Sequence, residues 1–227
     1  MPELLLQSVG TRLGERDFHY ELSLEGPGIV AISGPSGAGK STLFHLIAGF
    51  ETPISGRIVM DGVDVAALAP GKRPITTIFQ DHNLFAHLDV STNVALGISP
   101  SLTLARTDMN RISEALENVG LGGFEQRMTQ QLSGGERQRV AFARALVRKR
   151  PFLLLDEVFA SLDEALRIDM GELLRTLQQD NAMMVLMISH DGREVGRLAD
   201  RVVEIRDGRN VFTGGIVEWQ EFLGLSE

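Results

Sequence analysis

The chain has 227 residues, 43% hydrophobic and 23% charged, enough to bury a real core and, on length alone, to form one enzyme domain or two small ones. Lysine plus arginine number 22 against 30 aspartate plus glutamate, a net charge of −8, which excludes a protein that grips nucleic acid by a basic surface and opposes adsorption to an anionic membrane face. The absence of cysteine excludes disulfides and thiolate metal sites and suits a reducing cytoplasm, and no apolar run approaches the ~20 residues of a membrane span.

The N-terminal stretch carries Glu3 where a secretory signal needs basic residues, so work at a membrane would require a partner to hold the protein there. In chain order, β-rich runs are predicted at 4–9, 29–33, 57–60, 75–79, 152–155, 183–189 and 201–205, with Phe18 and Tyr20 in another strand-like stretch. The runs at 152 and 183 are apolar throughout, as in a parallel sheet covered on both faces, and Met183, Met184 and Met187 read as core. Asp61-Gly62 and Asp207-Gly208 mark turns, the second joining two short runs as a hairpin. From 81 to 150 helical periodicity replaces alternation. Ile112, Ala115, Leu116 and Val119 share a face behind Thr107 or Asp108 as cap and ahead of Gly120 as stop. This predicts a helical subdomain inserted into an α/β core.

Between the run 29–32 and the helix start at Thr42 lie Gly34-Pro35-Ser36-Gly37-Ala38-Gly39-Lys40-Ser41, the pattern G-x-x-x-x-G-K-S with strand and helix in the required order. Such glycines let successive backbone N–H groups converge on phosphate oxygens at a helix N-terminus. Lys40 would reach the β- and γ-phosphates and Ser41 would bind Mg²⁺. A second phosphate surface is predicted at Leu132-Ser133-Gly134-Gly135-Glu136. Ser133 and Glu136 have the spacing of a capping box for a helix running to Lys149, but a capping box needs no glycine pair. Arg148-Lys149-Arg150 reads as compensation of that helix's dipole. The strand ending in Asp156-Glu157 delivers two carboxylates to a sheet edge: Asp156 for Mg²⁺, and Glu157, pointing the other way, to deprotonate a water. His190 and Gln80 end strands at the same edge, one to bond a γ-phosphate, the other to touch Mg²⁺ or water.

This ordered series resembles the ATP-binding cassette family, the ATPase subunits of ABC transporters, over essentially the whole chain. Its motifs are the phosphate loop at 34–41, Gln80, LSGGE at 132–136, LLLDE at 153–157, a D-loop at Ser161-Leu162-Asp163 and the switch histidine His190. The resemblance implies one cassette domain over 1–227 with the P-loop NTPase fold. A RecA-like core sheet with an antiparallel β edge would occupy 1–80 and 151–227, and the helical subdomain 81–150. It implies ATP and Mg²⁺ as ligands, with Glu157, His190 and Gln80 catalytic and Ser41, Gln80 and Asp156 around the metal. It further implies a head-to-tail homodimer in which Ser133, Gly134, Gly135 and Glu136 of one subunit meet the ATP held by Lys40 of the other. An integral-membrane permease and, indirectly, a periplasmic solute-binding protein are the implied partners, at the cytoplasmic face of a bacterial inner membrane. Nucleic acid is not among them.

The fifth signature position, often Gln, is Glu136, and Val158 stands where Pro is common; neither changes a group that touches phosphate or Mg²⁺. The adenine support is open among Arg12, Leu13, Phe18 and Tyr20. Within the family, Ala48-Gly49-Phe50, Arg73-Pro74 and Asn83-Leu84-Phe85-Ala86-His87-Leu88 look most like the ATPases of bacterial thiamine importers, with importers of molybdate, iron or polyamine as the alternative. Asn83, Phe85 and His87 are candidates to dock a permease helix, unless Phe85 packs into its own subdomain. A chromosome or repair ATPase would need a long coiled coil between the two phosphate motifs, and no sustained heptads appear there. A translation-factor cassette would carry two copies and a basic linker.

Overall fold

The computed structural model describes residues 1–79 and 83–224. In order its elements are β1 (Glu3–Leu13), β2 (Arg16–Glu25), β3 (Gly28–Ser33), α1 (Lys40–Ala48), β4 (Ser55–Met60), β5 (Val63–Asp64), β6 (Ile75–Ile78), α2 (Val90–Ala95), α3 (Arg106–Asn118), α4 (Gly134–Leu146), β7 (Phe152–Asp156), α5 (Glu164–Asn181), β8 (Met184–Ile188), α6 (Gly192–Leu198), β9 (Arg201–Arg206), β10 (Arg209–Gly215) and α7 (Ile216–Phe222). They fall into two compact units, one of Met1–Ile75, Pro151–Glu157 and the stretch from Gln178 onward, the other of Thr76–Arg150 and Val158–Leu177.

The first unit holds a sheet ordered β5-β4-β1-β2-β10-β9-β3-β8-β7. Its first half is antiparallel, with β1 flanked by β2 and β4, and β2 buries every second residue, so one face is covered and the other wet. Its second half is parallel: β3 pairs with β9 and β8, and β8 with β7. Four residues or more of each of β3, β7 and β8 are buried, as their unbroken apolar runs require. Ile32 pairs with Ile188, and Ile188 with Asp156, so β3, β8 and β7 end together. The segments that follow them, bearing Gly34, His190 and Glu157, therefore emerge along one edge.

Arg73 is 1% exposed, and its guanidinium donates to the carbonyls of Leu46 (2.5 Å), Ile47 (2.9 Å), Ala66 (3.0 Å) and Leu68 (3.0 Å). The last carbonyls of α1 thus find a buried cation, which both satisfies them and matches the negative end of the helix.

In the second unit Val90, Val94, Ile112, Leu116, Val119, Val140 and Phe142 are buried, with Phe142 and Phe159 ring centroids 6.5 Å apart. Two boundaries differ from expectation. Helix α3 begins behind Ala105, and Asp108 acts one turn in, accepting from the Ala105 N–H at 2.9 Å. Helix α4 stops at Leu146 rather than Lys149, because Lys149 adopts φ +50° ahead of Pro151. Arg148-Lys149-Arg150 therefore follows the helix end directly, where the Arg148 and Lys149 N–H groups bond the Ala145 and Leu146 carbonyls.

Candidate functional site

The loop from β3 to α1 needs glycine at two points. Gly34 has φ +136°, and an added Cβ would lie 2.1 Å from the Ile205 carbonyl oxygen; Gly39, at φ +114°, would meet the Tyr20 hydroxyl at 2.7 Å. Lys40 opens α1 and is 5% exposed, and its ammonium donates to the carbonyls of Gly34 (2.7 Å) and Pro35 (2.9 Å). A buried cation thus spans the loop. Burial lowers its pKa from the ordinary lysine value, opposed by the charges of Glu157 and Glu204. The Glu204 carboxylate is itself buried and accepts from Trp219 Nε1 (3.1 Å) and Arg206 Nε (3.3 Å).

Ser36, Gly37, Gly39, Lys40, Ser41 and Thr42 share a cavity of about 390 Å³ with Glu157, His190 and Phe18. Gly34 and Pro35 contribute through the carbonyls that hold Lys40. Ala38 is buried, its N–H on the Pro35 carbonyl at 3.1 Å and its own carbonyl on the Gly208 N–H at 2.8 Å. Among the residues considered for the base, Phe18 lines the cavity. Tyr20 is fully buried with its hydroxyl on the Gly39 carbonyl at 2.8 Å, and Arg12 is an exposed partner of Asp17 at 3.0 Å. Leu13 is 39% exposed and does not line the cavity. Arg16, which the sequence did not single out, sits with its guanidinium carbon 5.7 Å from the Phe18 ring centre and donates to the Gly37 carbonyl at 3.0 Å.

Strand alternation predicts that Glu157 points away from Asp156, but β7 ends at Asp156 and Glu157 turns into the left-handed region at φ +49°. That conformation costs a non-glycine residue about 1–2 kcal/mol and is a feature of functional turns. It brings the Glu157 carboxylate into contact with His190 Nε2. His190 follows Ser189, whose hydroxyl donates to the buried Glu194 carboxylate and accepts from the Asp191 N–H at 3.1 Å.

Burial pushes the Asp156 carboxyl up from its ordinary range, Glu157 adds to this, and His45 and His190 oppose it. A half-buried carboxylate beside a second one favours a cation. No group of three metal-ligating side chains occurs among the described residues, so a cation here would complete its shell with phosphate oxygens and water, the habit of Mg²⁺. Ser41 lines the cavity and Asp156 ends β7 beside Glu157, so both are candidates for that role; Gln80 lies outside the described residues. Because its folded pKa is raised, ionised Asp156 costs stability above the folded pKa and nothing below about pH 4. Asp156→Asn should therefore raise Tm at pH 7, with the gain shrinking toward pH 4, while weakening Mg²⁺-dependent ATP binding. A lower Tm at pH 7 in thermal denaturation would refute this account of Asp156.

The second unit carries the other predicted surface. Ser133 caps α4, and its capping box is formed: the Glu136 N–H donates to Ser133 Oγ (3.3 Å) and the Ser133 N–H to Glu136 Oε2 (2.7 Å). Those bonds to Ser133 hold the half-buried Glu136 carboxyl below its ordinary range. Gly134 has open space where a Cβ would stand, whereas a Cβ on Gly135 would lie 2.9 Å from Leu166. Ser133, Gly134, Gly135 and Glu136 share an open concavity of about 710 Å³ with Ser161, Leu162 and Asp163. Asp163 also caps α5, accepting from the Leu166 N–H at 2.9 Å. Phe85 is 47% exposed, with its ring 6.1 Å from that of His87.

Comparison with known proteins agrees with this geometry. Residues 19–160 match the ABC transporter family. The chain is 49% identical to the thiamine import ATP-binding protein ThiQ of Mesorhizobium japonicum over 92% of this chain and 83% of that one. It is 46% identical to ThiQ of Escherichia coli over 86% and 84%. Among solved structures, cbiO1 of Clostridium perfringens, part of the ABC transporter complex cbiONQ, superposes with a TM-score of 0.85 at 27% identity, covering 97% of this chain and 90% of that one.

Proposed function

The chain belongs to the ABC transporter family, and from that premise we propose that it is the ATP-hydrolysing subunit of a thiamine importer. The observation that carries the ATPase part is the cavity in which the phosphate loop, Glu157 and His190 meet. Loop N–H groups and Lys40 would bind the phosphates, Ser41 and Asp156 would hold Mg²⁺, and Glu157 would take a proton from the attacking water while His190 keeps its carboxylate oriented. Mg²⁺ held there would neutralise charge developing on the phosphates. Gln80, outside the described residues, is assigned to the metal or water by the resemblance alone.

The signature surface is a second anion site with no phosphate loop of its own in the same unit, which supports a head-to-tail homodimer. Ser133 and Gly135 of one subunit would close on ATP held by the other. ATP-driven closure would then move a membrane permease fed by a periplasmic solute-binding protein, with this subunit peripheral on the cytoplasmic face. No helix among the described residues is long and apolar enough to cross a membrane. The exposed ring of Phe85 supports reading the 83–87 segment as the docking place for a permease helix. The single cassette, with RecA-like core about 1–80 and 151–227 and helical subdomain about 81–150, is the domain reading that goes with this mechanism.

The thiamine assignment follows the names and 46–52% identities of the relatives. Cells lacking this protein should fail to take up labelled thiamine at nanomolar concentration, and a Lys40→Ala copy should not restore uptake. Normal thiamine uptake with loss of molybdate, iron or polyamine import would overturn the cargo and leave the importer ATPase standing.

A further inference from the structure

We propose that Asn93 and Thr129 are positioning residues, a buried polar brace that fixes the 83–89 loop and ties it to the turn leading into the signature helix. Asn93, in α2, is 0% and Thr129 1% exposed, yet their side chains turn mainly to the carbonyls of the preceding loop. The Asn93 amide donates to the carbonyls of Phe85 (3.0 Å), Leu88 (3.3 Å) and Asp89 (3.0 Å), and its oxygen accepts from the Phe85 N–H at 2.8 Å. The Thr129 hydroxyl reaches the carbonyls of Phe85 (3.1 Å), Ala86 (3.3 Å) and Leu88 (3.1 Å), sharing one proton among them. The loop makes few ladder bonds of its own, so its shape is held by these two side chains.

The brace has direction. Thr129 begins a 3₁₀ turn, Thr129–Gln131, that passes through buried Leu132 to Ser133, the cap of α4. The Thr129 N–H also bonds the Leu88 carbonyl at 3.3 Å, and the Val90 N–H bonds the Arg127 carbonyl at 2.9 Å, pinning the two segments side by side. At the loop's other end, Arg144 of α4 donates to the Asn83 carbonyl at 2.7 Å. Helix α4 is thus tied to both ends of the loop, once through its cap and once through its last turn. A push on the exposed Phe85 ring has a stiff, hydrogen-bonded route to Ser133 within one compact unit. Transmission is therefore assigned to side chains that touch neither ATP nor permease.

This inference rests on the reading of 83–87 as the permease dock, and the test separates the two. In the intact transporter reconstituted with its permease and binding protein, the readout is the ratio of thiamine-stimulated to basal ATPase. Thr129→Val keeps the shape and removes the hydroxyl. It should leave basal rate within about twofold and lower stimulation about tenfold, the worth of one or two hydrogen bonds, while Thr129→Ser restores it. Should Thr129→Val not accumulate, Thr129→Ala set against Thr129→Ser asks the same question. Equal fractional losses of basal and stimulated rate would mark a purely structural role and overturn the brace. So would an unchanged ratio in Thr129→Val when Phe85→Ala lowers it. An unchanged ratio and uptake in Phe85→Ala would overturn the dock, and the brace would fall with it as a coupling device.

Discussion

Glu157→Gln should keep ATP binding and lose turnover by about 10²- to 10⁴-fold, the usual worth of one general base, or ~3–5 kcal/mol of barrier. The side chain keeps its size and an oxygen for His190, so the left-handed turn at φ +49° and the contact between the two residues survive. Only the ability to accept water's proton goes. With hydrolysis blocked, Mg-ATP should trap a dimer, because the two phosphate surfaces can then close without reopening. Single-turnover kinetics measures the first effect and a sizing column the second. A Glu157→Gln protein that stays monomeric in excess Mg-ATP counts against the sandwich, and one with undiminished turnover removes Glu157 as the base.

Much of this site is legible in one dimension because each motif is a short run whose backbone geometry depends on its own residues. Gly34 to Ser41 must form a loop wherever a strand and helix flank it, and Ser133 with Glu136 caps a helix without outside help. Where the sequence fails, contacts cross large distances. Nothing local in the sequence marks Arg73 as buried, because the four carbonyls that enclose it lie from 5 to 27 residues away. Thr129 serves carbonyls more than 40 residues back, so its spacing carries no signal. Glu157 escapes the alternation rule because the strand ends one residue before it, a boundary that periodicity cannot locate. Val158–Leu177 joins the helical unit for a similar reason, since nothing local distinguishes α5 from a helix of the core.

The stability of the fold and the chemistry of the site pull in opposite directions at several of these positions. Asp156 and Glu157 repel each other, Glu157 sits in a strained turn, and Lys40 gives up solvent for two carbonyls. Each cost is local to the edge where β3, β7 and β8 end, while the apolar parallel strands behind that edge bear it. Binding a triphosphate with its cation would offset the first and the last of these, giving the carboxylates a cation and the ammonium an anion, while the backbone strain at Glu157 would stay. Ligand binding should therefore raise Tm, by the amount its affinity and free concentration set.

Lys40→Ala should abolish productive ATP binding. The ammonium is the loop's own buried positive charge in a chain of net charge −8, and the neighbouring Arg16 guanidinium bonds the Gly37 carbonyl rather than the Gly34 and Pro35 carbonyls that hold Lys40. Removing a charged donor that would face two phosphates forfeits about 1.5–3 kcal/mol for each bond, which together is roughly 10²- to 10⁴-fold in Kd. Lys40→Arg should not rescue the loss. A planar fork cannot replace a point charge enclosed by the Gly34 and Pro35 carbonyls, and at 5% exposure there is no room for it to lie elsewhere. Both variants should fold, because the backbone of the loop is set by Gly34 and Gly39 and by the Tyr20 hydroxyl on the Gly39 carbonyl. Equilibrium binding of a fluorescent ATP analogue, beside thermal denaturation of each variant, gives the answer. Wild-type affinity and ATPase rate in Lys40→Ala would discard the nucleotide site itself.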